Sequence, residues 1–201
     1  LVKDLVIEME RGLRGDPSML PMLPSYLSPV SAVPPGKTVI ALDAGGTNLR
    51  AALVRFDEAG KAVAEGTQKT HMPGTKGRLT AEQFFDEIAA AAAPLLEQKG
   101  DVEGIGFCFS YPMEMTEEAD GVLLGFSKEV DAPEVIGRAI GAGLREALAR
   151  RGVRAPERIV LLNDTVATLL SGLAEIPADG SLRKGADIYG VEGGPVIGDR
   201  K

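Results

Sequence analysis

Three strand patterns follow one another almost without interruption near the start of this chain, and this succession restricts the folds open to it. The patterns cover residues 38–43, 49–56 and 61–70, with a GGT turn and a DEAGK turn between them. Turns this short join antiparallel neighbours, so the three patterns predict a meander. Two later strand patterns, at 102–109 and 158–162, alternate instead with helix patterns, which is typical of parallel pairing. We therefore expect an α/β fold with a mixed sheet.

Helix signals complete this arrangement. One helix begins with a capping pair, Thr80 and Gln83, and a glycine follows its end. Asp131, with Glu134 three residues later, predicts the start of another helix. Residues 16–37 are rich in proline, so we expect a connector there and not a regular helix or central strand. The predicted helices cover residues 1–15, 80–98, 131–150 and about 164–173.

The charge and composition of the chain exclude several classes of function. Its formal net charge is -7 and its Lys and Arg residues are not clustered, which disfavours a nucleic-acid partner. No apolar run approaches the roughly 20 residues that cross a bilayer, so we expect no membrane partner and a cytoplasmic protein. The single cysteine, Cys108, and the single histidine, His71, argue against an internal disulfide, a His-rich zinc site and a Ser/His/Asp triad. A carboxylate is then the expected carrier of any proton.

The stretch ALDAGGTNLR places an acid and two glycines where the first predicted strand ends. Gly45 and Gly46 would let backbone N–H groups approach an anion closely, and Thr47 and Asn48 add side-chain donors. Asp43 would repel a phosphate unless a divalent cation lay between them, which favours the phosphates of a Mg-nucleotide as the ligand. An ordinary β-hairpin turn explains the same residues equally well.

Polar residues at three other places are candidates for a site, and each has an ordinary structural alternative. Ser110 ends a strand pattern, where it is either a partner for a sugar hydroxyl or a strand cap. Ser127 and Lys128 occupy a loop, where a lysine is usually a solvated charge. Asn163 and Asp164 follow the apolar strand RIVLL and begin a helix, so Asp164 is either a base in a cleft or a helix cap. As a base, it would accept a proton from a bound alcohol that attacks a phosphoryl group.

Taken in order, four stretches resemble motifs of the hexokinase family: LDAGGTNLR at 42–50, FSYP at 109–112, FSKE at 126–129 and LNDTVATLL at 162–170. The resemblance implies a ribonuclease-H-like, actin-like α/β fold, in which a mixed sheet with flanking helices forms the small lobe of a two-lobe sugar kinase. On that plan the small lobe is residues 37–163. Residues 1–36, with the helix and the connector, and residues 164–201 then belong to the side of the large lobe.

The resemblance also implies roles for individual residues in the transfer of phosphate from ATP, with Mg²⁺, to the 6-hydroxyl of a hexose such as glucose. Asp164 would be the general base, and Asp43 would hold the magnesium side. Arg50 would support the phosphate loop. The remaining implied contacts are Ser110, Ser127, Lys128, Asn163 and Asp164 to the sugar, and Gly45, Gly46, Thr47 and Asn48 to the transferring phosphate.

Some of the family's pattern differs or lies beyond this chain. Phe126-Ser127-Lys128-Glu129-Val130 stands where the family has Trp-Thr-Lys-Gly-Phe, which leaves the preferred hexose open, and Ala167 replaces a glycine. The family's second phosphate loop and its adenosine pocket come later in the sequence. We therefore expect a truncated chain that is inactive alone, and its oligomeric state is left open.

Two other functions are compatible with the same motifs. A sugar-sensing or regulatory module on this fold would need the sugar contacts but not the base at Asp164. A nucleotide hydrolase of the actin-like class would leave Ser110 and the Ser127-Lys128 pair without a role.

Overall fold

The computed structural model describes residues 2–20, 22, 25, 26, 35–58, 60–127 and 129–174 of the 201-residue chain. The elements within these ranges, in chain order, are α1 (Val2–Leu13), β1 (Thr38–Ala44), β2 (Asn48–Phe56), β3 (Ala62–His71), α2 (Ala81–Lys99), β4 (Gly104–Phe109), β5 (Met113–Met115), β6 (Gly121–Leu123), a 3₁₀ turn (Pro133–Val135), α3 (Ile140–Arg150), β7 (Arg158–Leu162) and α4 (Asp164–Ala174).

Five strands form one mixed sheet in the order β3-β2-β1-β4-β7. The meander β1-β2-β3 is antiparallel, whereas β1, β4 and β7 run parallel to one another. Helix α2 makes the connection from β3 to β4, and α3 lies between β4 and β7 in the chain. The predicted sheet, with an antiparallel half and a parallel half, is confirmed.

Alternation along the strands divides the sheet into an apolar face and a more polar face. In β4 the side chains of Ile105, Phe107 and Phe109 are buried, and β1 and β7 alternate in the same phase. Helices α2 and α3 pack against each other and cover this face. The residues between them, including Asp43 and Cys108, therefore project from the opposite face.

Helix α2 begins as the sequence predicts. The Thr80 hydroxyl accepts from the N–H of Gln83 at 3.2 Å, and the Gln83 side chain accepts from the N–H of Thr80 at 2.9 Å. Gly100 follows the helix with φ at 66° and donates its N–H to the carbonyl of Leu96 at 3.0 Å. Both ends of α2 are thus fixed by local signals in the sequence.

The predicted helix over 131–150 is wrong in its first part. A 3₁₀ turn and a bend at Gly137, whose φ is 81°, precede the α-helix, which begins only at Ile140. Glu134 does not pair with Asp131 to cap this segment, because its carboxylate accepts from the N–H of Ala81 at 3.1 Å. Glu134, which the sequence places in the first turn of the predicted 131–150 helix, therefore supports the start of α2 instead.

A short antiparallel hairpin of β5 and β6, which the sequence patterns do not predict, lies between β4 and α3 in the chain. Asp120, in its loop, accepts from the N–H groups of Gly121, Gly141 and Ala142 at 2.7, 2.7 and 2.9 Å. Two of these donors open α3, so the start of that helix is held by an acid 20 residues earlier in the chain.

The N-terminal helix forms within the predicted range of 1–15 but is little covered. Its side chains Leu5, Val6 and Leu13 are exposed, and Leu1 lies outside the described residues. Much of the proline-rich connector, and everything after residue 174, also lies outside them. None of the described helices is both long and apolar enough to cross a membrane.

Candidate active site

The candidate site lies where the parallel strands β1, β4 and β7 end. Asp43 pairs in register with Cys108, and Cys108 pairs with Leu162, so the three residues form a row across the sheet. Two strand spacings separate the ends of this row, which places the backbones of Asp43 and Leu162 about 10 Å apart. Asp164 follows two residues after Leu162. The glycine turn and Asn163-Asp164 thus lie at the same edge of one sheet.

Asp43 and Arg50 form an ion pair beside the glycine turn. Arg50 Nη1 lies 2.7 Å from Asp43 Oδ2, and the two residues are directly opposite each other in the β1-β2 pair. Both side chains are partly exposed, so the pair contributes little to stability. Its geometric effect is to hold the Asp43 carboxylate close to the turn.

The turn from Gly45 to Thr47 is hydrogen-bonded at both of its ends. The N–H of Gly45 donates to the carbonyl of Asn48 at 3.0 Å, and the carbonyl of Thr47 accepts from the N–H of Met72 at 2.9 Å. Asn48 also donates its side-chain amide to the hydroxyl of Thr47 at 3.0 Å. Among the described residues, none accepts a hydrogen bond from the N–H of Gly46 or Thr47. Two backbone donors are therefore available to an anion.

No contact within the described protein explains why residue 45 is a glycine. Its φ is not among the positive values, and a Cβ there would meet only the carbonyl of Asn48 at 3.6 Å, an ordinary contact. A group that approaches the backbone from outside the described residues would give a reason for the missing side chain.

Cys108 lies between the carboxylates of the site. Burial, the Asp43 carboxylate and then the Asp164 carboxylate raise the pKa of the thiol from 9.0 to about 12. The hydroxyl of Ser110 acts in the opposite direction and lowers the pKa of the same thiol. One sulfur atom is thus within the electrostatic reach of residues that follow or end three different strands.

Asn163, not Asp164, caps helix α4. The Asn163 side-chain oxygen accepts from the N–H of Thr165 at 3.0 Å and from its hydroxyl at 2.6 Å, and the Asn163 carbonyl accepts from Ala167 at 2.9 Å. Asp164 accepts from the N–H of Thr165 at 2.9 Å but is exposed. Because Asn163 carries the capping role, Asp164 is not required for it.

An aromatic cluster lies behind the predicted sugar-binding segments. The ring of Tyr111 packs 4.9 Å from Phe109 and 5.1 Å from Phe126, and Phe126 packs against Phe84. Ser110 precedes this tyrosine and Ser127 follows Phe126. Ser110 is thus adjacent to a buried aromatic ring and Ser127 to a partly buried one. Lys128 lies outside the described residues.

A cavity of about 250 Å³ adjoins the site on the α4 side. Asn163 and Thr165 contribute its polar lining near the helix start, and Ser25 of the connector contributes from another side. Its other lining residues, largely apolar, are Tyr111, Pro112, Met113, Met115, Leu162 and Val166. Asp164 and Ser110 do not line it, so it is a neighbour of the candidate site and not its centre.

A family model described as hexokinase matches residues 1–174 of the chain, across every element of the fold. The chain belongs to the hexokinase family. It is 34% identical over 172 residues to the hexokinase of Brugia malayi, covering 83% of this chain and 30% of that protein. It is also 34% identical to Hexokinase-10 of Oryza sativa subsp. japonica, covering 86% of this chain and 35% of that protein. The chain spans about a third of the length of these hexokinases.

Solved structures of hexokinases have the same fold. The hexokinase of Schistosoma mansoni, complexed with glucose, matches with a TM-score of 0.63 and 28% identity, over 76% of this chain and 35% of that one. A second hexokinase crystal structure matches with a TM-score of 0.67 and 27% identity, over 85% of this chain and 42% of that one. The predicted actin-like α/β fold is thereby confirmed.

Sequence reasoning missed two residues of this site. The sequence marks Cys108 only as the single cysteine, although alternation places it on the same face as Asp43, in phase with Gly104 and Gly106. Tyr111 lies in the FSYP motif, which indicates no role for its side chain. Its hydroxyl donates to the carbonyl of Gly45 at 3.0 Å, a contact across 66 positions that no local pattern indicates.

Proposed function

We propose that this chain contributes the base and the first phosphate turn to a hexokinase reaction, in which ATP phosphorylates the 6-hydroxyl of a hexose such as glucose. The observation that carries the proposal is the position of Cys108. Cys108 pairs in register with Asp43, beside the glycine turn, on one side and with Leu162, two residues before Asp164, on the other. Both carboxylates raise the pKa of its thiol. A carboxylate that can accept a proton and a turn that can bind phosphate therefore occupy one sheet edge.

Asp164 is the proposed general base. Its carboxylate is exposed, follows directly after a parallel strand, and is freed from helix capping by Asn163. It accepts the proton of the sugar hydroxyl as that oxygen forms a bond to the γ-phosphorus of ATP. The bond between this phosphorus and the bridging oxygen breaks, and ADP leaves.

The turn and its acid fit the phosphates of Mg-ATP. The N–H groups of Gly46 and Thr47 are available donors, with the side chains of Thr47 and Asn48 beside them. Within the described ranges, no group of three or more His, Cys, Asp or Glu could form a metal cage. A single carboxylate such as Asp43, completed by phosphate oxygens and water, is the ligand set that Mg²⁺ commonly uses. When bound, the ion neutralises phosphate charge, while Arg50 keeps Asp43 in place.

The proposed sugar contacts are Ser110, Ser127, Lys128 and Asn163. The Asn163 oxygen is engaged by Thr165, so the side-chain amide N–H groups remain for a sugar hydroxyl. Glucose is a reasonable first substrate because the matched Schistosoma mansoni hexokinase is complexed with it.

Binding can be tested on the 201-residue chain by NMR titration with D-glucose, with L-glucose as the matched control. D-Glucose should shift the amides of Ser110, Asn163 and Asp164 in a saturable way, whereas its enantiomer should not. Equal responses to both sugars would contradict a hexose site. Asp164→Asn keeps the size of the side chain but removes the charge, so it should preserve much of this response.

Phosphorylation can be tested in a fusion of residues 1–174 to the carboxyl-terminal part of the matched Schistosoma mansoni hexokinase, using a coupled assay for ADP. Asp164→Asn should lower kcat by about 10²- to 10⁴-fold, the usual range for loss of a general base. The 201-residue chain alone should show little turnover. A folded fusion that binds glucose and never phosphorylates it would favour the non-catalytic sugar-sensing module.

A further inference from the structure

We propose that Tyr111 is a positioning residue that orients the Gly46 N–H toward the incoming phosphate by holding the carbonyl of the same peptide group. This inference rests on the proposed function of the glycine turn and adds a residue to it. The observation behind it is the 3.0 Å hydrogen bond from the Tyr111 hydroxyl to the carbonyl of Gly45.

The Gly45 carbonyl and the Gly46 N–H belong to one planar peptide group. None of the described peptide bonds is cis, so the two groups point in opposite directions within this plane. A donor that holds the Gly45 carbonyl therefore directs the Gly46 N–H away from that donor. This N–H has no acceptor among the described residues, so its orientation is available for a ligand.

A peptide between two glycines needs such an anchor more than most. Neither neighbour has a Cβ, so the peptide plane can rotate with little steric resistance. The bond from the Gly45 N–H to Asn48 fixes the preceding peptide, and the bond to the Thr47 carbonyl fixes the peptide that follows Thr47. In the described structure, the plane between Gly45 and Gly46 is held by the Tyr111 hydroxyl.

The tyrosine can act as an anchor because packing holds its ring in a single orientation. It is 1% exposed and packs against Phe109 and, edge to face at 83°, against Phe126. Burial raises the pKa of Tyr111 to about 12, so the hydroxyl keeps its proton and remains the donor. The ring is thus held by the segments that carry Ser110 and Ser127, while its tip holds the phosphate turn.

Tyr111→Phe tests this role because it removes the hydroxyl and keeps the ring. The matched control is Tyr26→Phe, which removes the same atom from a side chain that is 51% exposed. In the 201-residue chain, Tyr111→Phe should shift the Gly46 amide resonance. Because the family's adenosine pocket lies later in the sequence, the phosphate probe is inorganic triphosphate with Mg²⁺. Tyr111→Phe should weaken the binding of this probe by about two- to tenfold, the effect of one neutral hydrogen bond, and change D-glucose affinity by less than twofold.

Unequal effects on the two affinities would distinguish a positioning role from a general loss of structure, because a loss of structure would weaken the binding of both ligands. An unchanged Gly46 amide, or a loss of Mg-triphosphate affinity no larger than in Tyr26→Phe, would overturn the role of Tyr111. If the unmodified chain shows no binding of Mg-triphosphate, the phosphate site of the proposed function is contradicted instead. The Gly46 amide would still decide whether Tyr111 orients the turn.

Discussion

Slow alkylation of Cys108 should report directly on the two carboxylates of the site. The chain has one cysteine, so any thiol label identifies its own position. A pKa raised from 9.0 to about 12 lowers the thiolate fraction at pH 8 by about 1,000-fold. The remaining thiolate is more basic and therefore roughly 20-fold more nucleophilic. The native thiol should react with iodoacetamide about 50-fold more slowly than the unfolded thiol, and partial burial should slow it further.

When the charge of one carboxylate is removed, the alkylation rate of Cys108 tests the geometry of the site. Asp43→Asn and Asp164→Asn should each speed alkylation, with the larger effect at Asp43, the stronger of the two charges acting on the thiol. Neither should reach the unfolded rate, because burial is the largest cause of the raised pKa. The rates can be followed by mass spectrometry at pH 8 in EDTA, which prevents a divalent cation from screening Asp43.

Asp101→Asn provides the matched control for this experiment. Asp101 is exposed and precedes β4, at the opposite end of the strand that carries Cys108. Its replacement should leave the alkylation rate unchanged. If Asp43→Asn and Asp164→Asn alkylate no faster than Asp101→Asn, the two carboxylates do not share a site. That result would contradict the central observation behind the proposed function.

Two predictions concern the packing that supports the site. Asp120→Ala removes the acceptor for three backbone N–H groups and should lower the free energy of unfolding by about 3 kcal/mol in urea denaturation, whereas Asp120→Asn, which keeps one oxygen, should lose less. Gly143→Ala would place a Cβ 2.3 Å from Cζ of Phe85, so an overpacking cost of about 1–3 kcal/mol should exceed the gain of at most about 1 kcal/mol in helix propensity. Adding Phe85→Leu should recover part of the loss, and Gly143→Ala with wild-type stability would refute the close packing of α2 and α3.

The elements predicted well are those whose signals are local. Strand alternation and short turns indicated β1 to β3, and a reciprocal cap indicated the start of α2. The cap at Asp131 failed because Glu134 bonds to Ala81, 53 positions earlier, where the fold brings a second helix start within reach. Strands β5 and β6 have three residues each, too few for a periodic pattern to be visible.

The same difference between local signals and long-range contacts applies to the candidate site. The polar residues at the strand ends could be selected from the sequence, because parallel strands present their carboxyl ends at one edge. Which of Asn163 and Asp164 caps α4 could not, since both residue types are good caps and the side-chain geometry decides. The contact of Tyr111 with Gly45 depends on how the β4 segment passes beside the turn, and neither residue carries a local sign of it.

The alternation of side chains along the parallel strands therefore positions both the core residues and the site residues. The buried phase of β1, β4 and β7 receives the helices, and the opposite phase aligns Asp43, Cys108 and Leu162. Shifting any of these strands by one residue would exchange the faces of its side chains, and a shift of β1 would turn Asp43 toward α2. The apolar contacts that fix the strand register thus also fix the spacing between the glycine turn and Asp164. This explains how a site that depends on separate segments can be specified by the packing of the face behind it.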